Sequence, residues 1–433
     1  MAPTDIFERR ESAVRSYCRN LSVVLAGGRG SVVWDTEGVE YLDFLAGAGA
    51  LNYGHNDPDM RRALMEYIAD DGIAHGLDLH TGAKQEFLER FEGIVLEPRG
   101  MDHRVQFTGP TGANAMEAAL KLARKVTGRQ NVVAFTRGFH GLSAGALAAT
   151  GNSALRGGPV NSLSGVTRLP YDDYLGEGVD TADLLAEMLA DPSSGLDAPA
   201  AVVLETVQGE GGLNAASPGW LRRVAALARE YGALLVIDDI QAGVGRTGSF
   251  FSSEQAQIVP DLIALSKSLS GFGLPMSVLL IRPEYDVWEP GEHTGTFRGN
   301  AHAFVTASVA LEKFWTTEEL VEDVARRSTL LGDGLGEIAA RIPDAFVKGR
   351  GMMRGFQTDP VLAARITEEA IARNLIIERA GPRDEVVKVL APLTTPDEQL
   401  KRGLEVLAES VEVAIGQQGG QQGHPGHRRA ARL

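Results

Sequence analysis

Short, largely apolar runs recur through the middle of the chain, separated by segments with helical periodicity. RVQF (104–107), NVVAFT (131–136), AAVVLE (200–205), ALLVID (233–238), DLIALS (261–266) and SVLLI (277–281) all have this character. A strand that is apolar on both faces must be covered on both, and helices are what connect such strands in parallel. The helices are legible too. Met116, Ala119, Leu120 and Ala123 recur at helical spacing before Gly128, and Ser217 with Pro218 opens a second helix as N-cap and first-turn residue. Leu221, Val224, Leu227 and Ala228 form its apolar face, and Gly232 closes it. The pattern predicts an α/β fold with a mainly parallel sheet between helices. Ligands in such sheets sit beyond the C-terminal ends of the strands, so the residues just after each apolar run are where chemistry is expected.

The flanks read differently. Residues 21–45 suggest antiparallel strands turning at Asp35-Thr36-Glu37-Gly38, and beyond about Trp315 the chain is helix-rich with short strands in GRGMMRGFQ and EVVKVLAP. We expect residues 1–55 and 316–415 to form a smaller α/β domain against a large domain of residues 56–315. The stretch GQQGGQQGHPGHRRAARL (416–433) is Gly/Gln-rich with a basic end, a composition that builds no core, and is expected to be a disordered tail.

Charge narrows the classes of partner. The 433 residues carry 42 basic and 57 acidic side chains, a net charge of −15. Nucleic acid and anionic membrane surfaces both need a positive footprint, so neither is the expected partner. The single cysteine, Cys18, allows no intrachain disulfide. The first 18 residues mix acids and bases without a signal-type apolar core. No apolar run approaches the roughly 20 residues of a membrane span. A cytoplasmic location is expected.

The strand ends carry a specific set of groups. After 104–107 comes Thr111-Gly112-Ala113-Asn114 at a helix N-terminus, where backbone amides and the helix dipole favour a phosphate. A plain strand-to-helix turn explains the same residues, and the Gly-Lys-Ser/Thr ending of a P-loop is missing. After 131–136 comes Arg137-Gly138-Phe139-His140-Gly141, with an aromatic ring beside glycines. The glycine-rich loop 206–212 carries Glu210. Asp238, Asp239 and Gln241 follow the fourth run, and Ser266-Lys267-Ser268 the fifth. Paired acids at a strand end suit a solvated edge, a metal or Mg-nucleotide site, or a cationic organic cofactor. No His or Cys ligand accompanies them, which disfavours metal. A phosphate cradle, a stacking aromatic, a carboxylate and a lysine are together what pyridoxal 5′-phosphate requires. Asp238, first after the apolar strand, is the better partner for a ring nitrogen; Asp239 points the other way and reads as a structural acid.

Six blocks then fall in family order. GANAMEAALKLAR (112–124), GFHG (138–141), LETVQGEGG (204–212), VIDDIQAGVGRTG (236–248), LSKSLSGFGLPMS (265–277) and TFRGN (296–300) resemble those of the class III aminotransferases, of pyridoxal-phosphate fold type I, over about residues 20–410. The resemblance implies roles. Lys267 matches the Schiff-base lysine that also shuttles the proton, and Asp238 the partner of the pyridine nitrogen. Ile240 and Phe139 match the groups on the two ring faces, and Gln241 the ring-hydroxyl partner. Gly112 and Ala113 match the phosphate loop. Thr296 matches a threonine reaching the phosphate from the neighbouring subunit, which implies a homodimer or a higher homo-oligomer with shared sites.

Three departures accompany the match. Ala113 stands where a hydroxyl is common. Asp239 replaces a glutamate. Lys388 stands where many relatives carry an arginine that binds a carboxylate and pairs with the residue matching Glu210; lysine offers a point charge instead of a fork. Arg298, where relatives often have glycine, reads either as a contact to a substrate carboxylate or as a surface salt bridge. Finer matches in FLAGAGALNYGHNDP (44–58), DGIAHGLDLHTGAK (71–84) and DVWEPGEHTGTFRGN (286–300) resemble the diaminobutyrate-forming branch. That implies small amino-acid and 2-oxo-acid substrates: L-glutamate and L-aspartate 4-semialdehyde giving L-2,4-diaminobutyrate and 2-oxoglutarate, as in ectoine biosynthesis. The rival readings are an acetylornithine, GABA or other ω-amino-acid transaminase, an aminomutase, and a non-catalytic ligand-binding homologue.

Overall fold

The computed structural model describes residues 5–157 and 163–421. Three antiparallel strands open the fold: β1 (Leu25–Arg29), β2 (Val32–Asp35) and β3 (Glu40–Asp43). The expected turn joins the last two. Asp35 Oδ1 accepts from the amides of Glu37 and Val39, both at 2.9 Å, and Gly38 takes φ 83°. A short acidic side chain closing its own turn in this way is what favours Asp there.

Seven strands form the central sheet: β4 (Arg104–Gly109), β5 (Val132–Phe135), β6 (Val166–Leu169), β7 (Ala201–Leu204), β8 (Leu234–Asp238), β9 (Leu262–Leu265) and β10 (Ser277–Ile281). Their order is β4-β10-β9-β8-β7-β5-β6. The pairs from β6 through β9 are parallel, and β10 runs antiparallel to both neighbours. The sheet is therefore mainly parallel, as the apolar runs require. β6 is the strand they do not reveal. Its sequence, VTRL, is half polar because it lies at the edge of the sheet and is only partly buried.

The covering helices follow their patterns. Gly112–Thr127 buries Met116, Ala119, Leu120 and Ala123 and ends at Gly128 with φ 68°. Pro218–Glu230 begins where the Ser217 hydroxyl accepts the Trp220 amide at 3.2 Å, and buries Leu221, Val224 and Ala228. Each large apolar side chain so placed contributes about 1.5–3 kcal/mol.

Five more strands follow: β11 (Phe346–Arg350), β12 (Met353–Gln357), β13 (Leu375–Ile376), β14 (Glu378–Ala380) and β15 (Val386–Val389). Four of them form a sheet of order β11-β12-β15-β14, while β13 pairs in parallel with β3. That pairing joins the two ends of the chain. One apolar cluster runs from Phe44 through Phe87 and Phe304 to Leu331 and Val411. The last helix, Asp397–Gln421, carries its backbone past residue 416, where a tail is expected to begin. Adding a residue to an existing helix costs little, so a packed helix runs on into unfavourable composition. Residues 422–433 of the expected tail lie outside the described residues. Among the described residues no helix is long and apolar enough to cross a membrane.

One polar pin fixes the N-terminal flank to the rest. Arg246 is fully buried and donates to Asn52 Oδ1 at 2.6 and 3.1 Å and to the carbonyls of Met352 and Ala391 at 3.2 and 2.6 Å. Burial pulls its guanidinium down to about 9. Arg246→Met removes the donors but leaves three acceptors buried. We expect a loss of about 3 kcal/mol in chemical denaturation, from leaving acceptors unsatisfied.

Candidate active site

At the C-terminal edge of the sheet a cavity of about 310 Å³ opens between the strand ends. Asp238, the last residue of β8, reaches it with only 4% of its surface exposed. Its Oδ2 meets His140 Nδ1 at 2.8 Å, and its Oδ1 accepts from the Ile240 amide at 3.3 Å. His140 is itself buried. Burial alone would lower its proton affinity, but the bond to Asp238 and the charges of Asp238 and Glu205 outweigh this and raise it. Asp239 turns to the other side of the strand, where Oδ2 accepts from the Ser252 amide at 2.9 Å; burial pushes this acid up to about 7.

Lys267 stands just past β9. Its φ of 49° is left-handed, a conformation that costs a non-glycine residue energy and clusters at functional sites. The amine donates to the Ala48 carbonyl at 2.8 Å. Burial, the largest effect, and the Lys388 charge lower its pKa, and Glu210 opposes them. The result is an amine more readily deprotonated than a surface lysine.

The remaining walls come from four loops. Gly112 and Ala113 line the cavity in the first turn of their helix, where amides lack intrahelical partners. Asn114 Oδ1 holds that turn by accepting from the Thr111 amide and hydroxyl at 3.2 and 2.9 Å. A Cβ on Gly112 would lie 2.6 Å from Ile240 Cδ1, so the cradle and the aliphatic wall already touch. Phe139 lines the cavity with its amide donating to Glu205. Gln241 donates to the Ala48 carbonyl at 3.0 Å, while its Oε1 is buried with no partner, an acceptor awaiting a donor in the cavity.

Glu210 occupies the far wall. Its Oε1 accepts from Lys388 Nζ at 2.9 Å, and Lys388, wholly buried on β15, meets Glu378 Oε1 at the same distance. The two acids respond oppositely. Glu210 falls to about 2, because the Lys388 and Lys267 charges outweigh its burial; Glu378 rises, because burial dominates there and Glu210 repels it. One lysine is shared between two buried carboxylates, and the more exposed of the two side chains is the one whose proton affinity falls.

The cavity thus brings together nine of the eleven expected residues; Lys388 reaches it through Glu210. Within this chain, Thr296 and Arg298 stand apart. Thr296 is exposed. Arg298 lines a separate cavity of about 780 Å³ with His80, Lys84 and His293. Three contributors had no assigned role: His140, Glu205 and the Ala48 carbonyl. The signal for the first two was available, since each is an ionisable residue close behind an apolar strand. The Ala48 contact had no comparable signal, because it comes from a distant backbone.

This sheet order, with a lysine and an acid at neighbouring strand ends, is that of the fold-type I pyridoxal-phosphate enzymes. The chain belongs to the class-III aminotransferase family, whose model matches residues 14–411. It is 51% identical over 420 residues to a diaminobutyrate–2-oxoglutarate transaminase of Halalkalibacterium halodurans, covering 96% of this chain and 98% of that one. A transaminase of the same name from Vibrio cholerae is 54% identical over 406 residues, with 93% and 98% covered. Among solved structures, the ornithine aminotransferase of Toxoplasma gondii superposes with a TM-score of 0.83 at 27% identity, covering 96% and 95%. The cofactor is pyridoxal 5′-phosphate. The cavity fits it: an orphaned buried acceptor on Gln241, a buried acid, a desolvated lysine and free first-turn amides face one another.

The Lys388 cluster yields a sharp test. Lys388→Met leaves Glu210 and Glu378 buried without a cation and should cost about 3 kcal/mol in urea unfolding. Lys388→Arg keeps the charge and should lose less; equal losses would show that shape, rather than charge, matters there.

Proposed function

We propose that this chain transfers the amino group of L-glutamate to L-aspartate 4-semialdehyde, releasing 2-oxoglutarate and L-2,4-diaminobutyrate. The observation that carries the reading is one cavity in which Lys267 and Asp238 converge while Glu210, held by Lys388, forms the wall. The two transaminases named above support the choice of substrates. We infer ectoine biosynthesis as the outlet, on the finer sequence resemblance, and the cytoplasm as the location, a reading supported by the resemblance to enzymes acting on free amino acids and 2-oxo acids.

Bound pyridoxal phosphate supplies an aldehyde for a lysine amine and a protonated ring that acts as an electron sink. The chain's residues do the rest. Lys267, desolvated and readily deprotonated, would be the amine that holds the aldehyde and the base that moves a proton from the substrate carbon. The Ala48 carbonyl holds its Nζ in place. Asp238 would hold the proton on the ring nitrogen, with His140 orienting the carboxylate. Gln241 Oε1 would accept from the ring hydroxyl, Phe139 and Ile240 would pack on the ring, and the amides of Gly112 and Ala113 would bind the phosphate. Glu210 yields Lys388 to a substrate carboxylate in one half-reaction and takes it back in the other.

We further propose a homodimer or higher homo-oligomer in which Thr296 of one protomer reaches the phosphate bound by its partner. In support, Thr296 is exposed beside Phe297, which is 69% exposed, and the exposed Leu77 and Leu79 belong to the nearby 71–84 segment. Large apolar side chains exposed together are typical of a covered surface. We take residues 1–55 and 316–415 to act as one small domain, an arrangement supported by the β3–β13 pairing.

Four experiments test this reading. Lys267→Ala should no longer be marked by borohydride, with turnover reduced at least about 10³-fold, as for loss of a covalent nucleophile. Borohydride reduction of the wild type should mark Lys267; a mark elsewhere sinks the assignment. Half-reactions with glutamate, diaminobutyrate, ornithine and GABA identify the donor, and preference for ornithine or GABA would replace the substrates named here. Arg298→Ala should raise KM for the amino donor severalfold, by roughly the worth of one exposed charge contact; unchanged kinetics would leave Arg298 a surface residue.

A further inference from the structure

Glu205 follows directly on β7, along the same edge of the sheet where Asp238 ends β8. It is 7% exposed and lines the Lys267 cavity, yet none of the chemistry above uses it. Both of its oxygens are taken by backbone. Oε1 accepts the Phe139 amide at 2.9 Å, and Oε2 accepts the Gly209 amide at 3.0 Å. Those amides belong to different loops. The loop after β5 carries Phe139 and His140; the loop after β7 carries Glu210. A buried amide has to find an acceptor, so one carboxylate sets the position of both loops.

The second loop has little freedom otherwise. A Cβ on Gly209 would lie 1.9 Å from Gln241 Oε1, and Gln208 Nε2 donates to the Thr136 carbonyl at 2.8 Å. Three ionisable groups face Glu205. His140 and Asp238 stand on the cavity side. The phenol of Tyr171, just beyond β6, donates to Glu205's own carbonyl at 2.6 Å.

We propose that Glu205 is a positioning residue that couples the aromatic platform of Phe139 to the loop of Glu210. A single carboxylate thereby holds the ring-stacking side of the site and the substrate-carboxylate side in one arrangement. The inference rests on the reading of the Lys267 cavity given above. Burial pushes the carboxyl up to about 7 against the pull of the His140 charge and the two amides, so the strap is anionic above neutrality.

Glutamine has nearly the same shape but only one acceptor oxygen, so in Glu205→Gln one of the two amides faces a donor. Hydrogen exchange on the full-length protein as purified should show the amides of Phe139 and Gly209 both exchanging at least about fivefold faster, as expected when a local hydrogen bond is lost. Peptides from the helix Pro218–Glu230 should be unchanged. The pH profile of the visible absorption of loaded Glu205→Gln should also lack one ionisation step that the wild type shows. A core variant of similar stability, Leu221→Ala, should keep it. Acceleration at only one loop, or a pH profile that keeps the step, overturns the proposal. If Glu205→Gln does not fold, Glu205→Asp, too short to reach both loops, is judged by the same exchange criterion. Borohydride reduction that fails to mark Lys267 in the wild type would defeat the cofactor reading instead, and the exchange result does not depend on that outcome.

Discussion

The contact between Asp238 and His140 gives a buried acid at the end of an apolar strand its polar partner. Val236 and Ile237, just before it, are wholly buried, and a polar group there without a partner would cost free energy. A buried histidine at 2.8 Å supplies that partner, and Asp238 in turn raises the proton affinity of His140 against the effect of burial. The contact depends on strand order. His140 comes from the loop after β5 and Asp238 from β8, with β7 between them. The first loop must cross the end of β7 to reach the acid, and Glu205 lies under that crossing with an oxygen bonded to it. The sheet topology, the acid paired with His140 and the buried glutamate therefore belong to one arrangement.

The lysine is held from a different direction. Its nearest acceptor, the Ala48 carbonyl, lies in a segment where Gly47 and Ala48 take φ of 60° and 56°. Left-handed backbone at a non-glycine residue persists only where its surroundings over-determine it. Here they do. The Ser268 hydroxyl donates to the Gly49 carbonyl at 2.8 Å, the Asn52 amide donates to Ser268 Oγ at 3.1 Å, and Arg246 clamps Asn52 from below. The N-terminal flank thus supplies the floor of a site whose ionisable groups come from the central sheet. Severing it would leave Lys267 without the carbonyl that aims its amine.

What the sequence disclosed follows the same division. Apolar runs marked β5, β7, β8, β9 and β10 because strands buried on both faces have no polar positions to hide the signal. β6 escaped because an edge strand keeps polar residues. Asp238 and Lys267 were legible because charge directly after such a run has no packing explanation. His140 stood in view beside Phe139 without a role, since a histidine near a strand end is as often structural as functional. The Ala48 carbonyl left no trace at all: backbone acceptors are the same at every residue, and only the fold brings residues 48 and 267 together. Thr296 and Arg298 show a related limit. Family motif places Thr296 at the site and a departure from it suggests Arg298, while the single chain leaves both outside its cavity.

Lysine at position 388 is best understood from the two acids it serves. Glu378 and Lys388 are direct cross-strand partners in the β14–β15 register, so their pairing is built into a sheet. Glu210 comes instead from the loop after β7, so its pairing with Lys388 is made by a side chain alone and by no strand register. The cation thus has one fixed partner and one detachable partner. When Glu210 withdraws, Glu378 still keeps Lys388 charged and in place, and an incoming carboxylate replaces an outgoing one without changing the buried net charge. An arginine fork would suit a bidentate grip on a single carboxylate, whereas a compact ammonium with three donors suits a position between two. The departure from arginine is consistent with a site in which the carboxylate partner is exchanged while the cation stays put.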